Sequence, residues 1–84
     1  NNCIDVKSDN EGYLKYTDTK KIGNIINFLT IKNGVLNNNA GIKFLKKNDD
    51  YIKKGDAIFQ IFSNEKEHIQ SASLKIQEAY VIDS

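Results

Sequence analysis

Apolar and polar residues alternate most clearly in residues 41–63, GIKFLKKNDDYIKKGDAIFQIFS. Ile42 and Phe44 flank Lys43, and Phe59 and Ile61 alternate with Ile58, Gln60 and Phe62. Between these runs, Asn48-Asp49-Asp50 and Lys53-Lys54-Gly55-Asp56 surround a short apolar pair, Tyr51-Ile52. Alternation broken by clusters of turn formers predicts two strands folded back on each other through a turn-rich middle. Gly55 suits a positive-φ position, where a Cβ would clash. The remaining elements are expected to pack around this hairpin.

The other segments follow the same logic. Ile4 and Val6 predict a first strand over 3–7, and Ser8-Asp9-Asn10-Glu11-Gly12 predicts a turn. Residues 13–16 read as a second strand with Leu14 and Tyr16 on one face, and Gly12 at its start allows two backbones to approach closely. Asp18 stands where a helix N-cap belongs. Ile22, Ile25, Ile26 and Leu29 then recur at i, i+3, i+4 and i+7, the stripe of an amphipathic helix ending near Leu29 or Thr30. Gly23 inside that helix is expected to mark close packing. Residues 31–39, with Gly34 and three consecutive asparagines, read as a polar loop tacked down by Val35 and Leu36.

After the hairpin, Asn64 and Glu67 read as a capping box. Ile69, Ala72, Ile76 and Tyr80 fall on one face of a second helix. Leu74 falls roughly opposite, as an exposed leucine or as a contact with another domain. Val81-Ile82 predicts a short last strand. The order β-β-α-β-β-α-β is that of an α+β fold with a mostly antiparallel sheet.

At 84 residues this is one small domain spanning 1–84. The sequence has no methionine, and we expect it to be a piece of a longer chain with further domains upstream of Asn1. Its formal charge is +1, and it contains lysine but no arginine. Without the bidentate guanidinium of arginine, specific nucleic-acid binding is disfavoured. The excess of Lys, Asn and Ile reads as compositional drift that erodes motifs. A lone cysteine, Cys3, forms no internal disulfide and favours a reducing, cytoplasmic setting. No apolar run approaches a membrane span, and no signal peptide is visible.

No catalytic constellation stands out. His68, the single histidine, reads as a surface residue. A metal site would need partners for it, and a Cys3–His68 nucleophilic pair is a remote reading. Asp49, Asp50 and Asp56 lack the spacing of an EF-hand loop, and turn formation accounts for them. The lysine pairs 20–21, 46–47 and 53–54 read as solvated charges rather than an anion site. Tyr13, Tyr16, Phe44, Tyr51, Phe59 and Phe62 read as core rather than a stacking platform. The residues thus describe a structural or interaction domain, with no catalytic, cofactor-binding or metal-binding residue assigned.

The ordered set Gly12-Tyr13-Leu14, Asp18, Ile22-Gly23, Ala40-Gly41-Ile42, Lys47, Asp49, Ile52, Gly55 and Ile58 resembles the C-terminal domain of the thymidine/pyrimidine nucleoside phosphorylase family, which includes AMP phosphorylase-like members. The resemblance covers nearly the whole chain. Ala40-Gly41-Ile42 leans toward the AMP phosphorylase-like branch. Asn48 stands at the family's usual glycine in the first turn, where asparagine tolerates the left-handed region. Phe62 stands where many members have histidine. The family's Gly-Ala-Gly-rich stretch is replaced by residues 30–39.

The resemblance implies an α/β-hammerhead, barrel-sandwich-like domain. It implies a parent pentosyltransferase, a transferase that cleaves a nucleoside or nucleotide with phosphate as co-substrate to free base and pentose 1-phosphate. The phosphate- and base-binding residues belong to the preceding domains, so this domain's role is structure, assembly or domain closure. The implied partners are those preceding domains and further copies of the parent, with no membrane and no cofactor. Two alternatives are a biotinyl- or lipoyl-type hammerhead carrier and a free-standing binding module. A carrier needs a modified lysine at a hairpin tip, in a context this chain lacks.

Overall fold

The strand pair expected in residues 41–63 is the centre of the fold. The computed structural model describes residues 2–32, 34–36 and 38–84. The elements are β1 (Asn2–Lys7), β2 (Gly12–Tyr16), α1 (Thr19–Thr30), β3 (Ile31–Lys32), β4 (Val35–Leu36), β5 (Gly41–Phe44), β6 (Tyr51–Ile52), β7 (Ala57–Ser63), α2 (Lys66–Ile76) and β8 (Tyr80–Asp83). β5 and β7 pair antiparallel from Gly41↔Phe62 to Phe44↔Phe59. β1 pairs along the other edge of β7, from Asn2↔Ser63 to Lys7↔Ala57, with an irregularity between Val6 and Lys7. β7 is therefore the middle strand of β1-β7-β5. Ile58, Phe59 and Ile61 are all fully buried, so both faces of this strand are covered.

A second sheet, β6-β2-β8, is also antiparallel. Leu14 and Ile52 are its fully buried side chains, with Tyr16, Tyr80 and Ile82 packed against the same core. Gly12 makes the β2–β8 approach possible: a Cβ there would lie 2.6 Å from the Asp83 carbonyl oxygen. The close backbone approach expected at Gly12 is present.

α1 begins as the sequence predicts. The Asp18 carboxylate accepts a 2.9 Å hydrogen bond from the Lys21 amide. Ile22, Ile25 and Leu29 are buried and Ile26 partly so, which makes one apolar stripe. The helix ends at Thr30, whose hydroxyl donates to the Ile26 carbonyl. α2 buries Ile69, Ala72 and Ile76. Lys21 of α1 bonds Glu78 just beyond α2, and the Phe28 ring meets His68 near its start at a tilt of 50°, so the helices run antiparallel.

The structure corrects five readings. Residues 31–36 are not simply loop, because β3 and β4 pair there as a small hairpin, Ile31↔Leu36 and Lys32↔Val35. Asn33 and Asn37, part of that reading, lie outside the described residues, as does Asn1. The two strands and β6 are additions to the expected order. Val35 and Leu36 do not tack the segment down, since both are exposed. Gly23 marks no close packing, because nothing lies within 4 Å of an added Cβ. The N-cap of α2 is Glu65, whose carboxylate makes no capping hydrogen bond to a helix amide and instead lies 2.9 Å from His68. Asn64 therefore forms no capping box, and the Glu65 amide instead donates to the Ser63 hydroxyl. Tyr80 is not on α2, which stops at Ile76; it opens β8.

Candidate functional site

The motif-bearing residues of the hairpin form two turns of one design. In the first, the Asp50 amide donates to the Lys47 carbonyl at 3.1 Å, closing a four-residue turn. The Asp50 carboxylate accepts from the Lys47 amide at 2.8 Å, and Asp49 holds φ 75°. In the second, the Asp56 amide donates to the Lys53 carbonyl at 2.9 Å. The Asp56 carboxylate accepts from the Lys53 amide at 2.9 Å, and Gly55 holds φ 93°. Positive φ at the third of four residues, with a bond from fourth to first, is the pattern of a type II turn.

Each turn docks on one buried residue in the same way. The Asp49 amide donates to the Leu14 carbonyl, and the Leu14 amide donates to the Asp50 carbonyl. The Gly55 amide donates to the Ser8 carbonyl, and the Ser8 amide donates to the Asp56 carbonyl. The left-handed residue of the first turn is thus Asp49 and not Asn48. Asn48 has another task, its side-chain oxygen accepting from the Tyr16 amide at 2.9 Å. A Lys-x-x-Asp pattern repeated six positions on is the signal in the sequence that reveals this pair.

The remaining candidates are dispersed. Cys3 is exposed on β1 beside Lys66, Ile69 and Gln70. The contacts of His68 lie elsewhere, with the Glu65 carboxylate at 2.9 Å and the Phe28 ring at 4.8 Å. Among the described residues, no three His, Cys, Asp or Glu side chains gather as a metal-holding group. Asp49 pairs with Lys15, whose pKa the hydrogen bond raises. Lys21 of the first lysine pair is engaged by Glu78 at 2.8 Å. That bond raises the lysine pKa and lowers the carboxylate's. A groove of about 360 Å³ opens beside this pair, lined also by Asn24, Ile25, Phe28 and Lys75. Its charged walls are already engaged, Lys21 by Glu78 and Lys75 by the Phe28 ring at 4.9 Å.

The aromatic residues divide into two groups. Phe59 is buried in the core, with the Phe44, Tyr80 and Tyr16 ring centroids 5.4, 5.6 and 6.0 Å away, but Phe44 itself, expected in the core, is 46% exposed at its edge. The Tyr16 hydroxyl donates to the Lys46 carbonyl at 2.8 Å, tying β2 to the start of the first turn. Burial raises the pKa of both Tyr16 and Tyr80, helped by the Asp50 and Asp9 carboxylates respectively. Tyr13 and Tyr51 are not core: they stand 51% and 47% exposed on the outer face of β6-β2-β8. Their rings meet edge to face at 5.3 Å, and the Tyr51 hydroxyl donates to Glu11. That bond raises the Tyr51 pKa. The strand pairing that joins them is long-range, so alternation alone did not single them out.

These features define an α+β domain organised around a hairpin with two equivalent, strand-docked turns. The family model of the pyrimidine nucleoside phosphorylase C-terminal domain matches residues 13–83, and the chain belongs to that family. β1, which lines β7, lies ahead of the matched span. No curated protein matches the chain.

Proposed function

We propose that this chain is the accessory domain of an enzyme that cleaves a pyrimidine nucleoside with phosphate, releasing free base and pentose 1-phosphate. Preceding domains of the same polypeptide supply the groups that bind phosphate and base. The observation that carries this reading is the family match, read together with the use made of the motif residues. The backbones of Lys47, Asp49 and Gly55 and the carboxylates of Asp50 and Asp56 go into turn closure and strand docking. The domain's contribution is then mechanical. It braces the preceding domains so that closure excludes water and phosphate attacks the anomeric carbon in its place. The enzyme works in the cytoplasm, where Cys3 remains a free thiol. No helix among the described residues is long and apolar enough to cross a membrane.

The test offers thymidine, uridine and AMP side by side to the full-length polypeptide, with and without phosphate. Phosphate-dependent base release from thymidine or uridine supports the proposal. Release from AMP alone moves the parent to the AMP phosphorylase branch, and no release by a folded parent overturns it.

A further inference from the structure

We draw no further inference here: the strongest candidate, the exposed apolar side chains of Ile31, Val35 and Leu36 on the β3–β4 hairpin, carries none because nothing in the structure shows what covers them.

Discussion

The turns at residues 47–50 and 53–56 solve one problem with different residues. Both place their third residue at positive φ, both bond their aspartate back to a lysine amide, and both hang on a buried residue by paired backbone bonds. The second uses Gly55 at the strained position, where the left-handed backbone costs nothing extra. The first uses Asp49, which accepts the strain and gains an exposed contact with Lys15. Their anchors differ as well. Leu14 is a fully buried core side chain, whereas Ser8 is a buried polar residue whose hydroxyl donates to the Asn10 carbonyl. Geometry is thus conserved between the turns while the source of stability is not. One leans on packing, the other on backbone freedom and local hydrogen bonds.

The difference between the anchors is open to direct attack. Leu14→Ala should cost about 3 kcal/mol, the transfer and cavity cost of a buried leucine. Ser8→Ala should cost about 1 kcal/mol, since only its local hydroxyl bonds are lost. Denaturant unfolding of both variants measures this, and equal losses would erase the distinction. Next comes the strained position. Gly55→Ala should lose about 1–2 kcal/mol from backbone strain alone, as nothing lies within 4 Å of the added Cβ. Asp49→Gly should stay within about 0.5 kcal/mol of the native protein, because relief of φ is offset by the lost Lys15 contact and a freer unfolded chain.

A glycine outside the turns sharpens the point by contrast. Gly23 sits in α1 without positive φ and with open space where a Cβ would go. Gly23→Ala should therefore stabilise the protein by about 0.5–1 kcal/mol, seen as a raised melting temperature. The smallest effect is expected at high pH. Tyr16 stands over the first turn beside Asp50, and Tyr80 stands near Asp9 on the Ser8 side. Both pKa values are raised in the folded protein above 10.0. Their contribution is fully present below the unfolded value and is lost as pH rises through the folded ones. Melting temperature should fall across that window, and Tyr16→Phe should flatten part of the fall.

What the sequence revealed and what it hid divides along physical lines. α1 was legible because its cap and stripe are local: Asp18 bonds an amide three residues on, and Ile22, Ile25 and Leu29 share a face by helix geometry alone. The β5–β7 pair was legible through alternation between turn formers. The β3–β4 hairpin was not, because Ile31, Val35 and Leu36 stay exposed and no burial pattern announces their pairing. The start of α2 was misread because Asn64 suits a cap by residue type, whereas the helix begins one residue later, after Glu65, whose amide bonds the Ser63 hydroxyl. Tyr80 continued the helical period past the point where Ala79 bonds back to the Ile76 carbonyl and the helix stops. The Tyr13–Tyr51 pair stayed hidden because it joins two strands far apart in the chain. Even the repeat of turns was masked by one substitution, since Asp49 stands where its counterpart is Gly55.

The central claim is that the acidic residues of the hairpin hold structure and take no part in chemistry. The measurement that tests it most directly is phosphate-dependent base release by full-length polypeptide carrying Asp50→Ala and Asp56→Ala together, assayed at a temperature where the variant stays folded. Each substitution should cost about 1 kcal/mol of stability through its lost turn bond, lowering the melting temperature. Turnover per folded molecule should match that of the unsubstituted polypeptide. A folded variant with native substrate binding and a turnover reduced more than about tenfold, some 1.4 kcal/mol of barrier, would contradict the account and move these aspartates into the reaction itself.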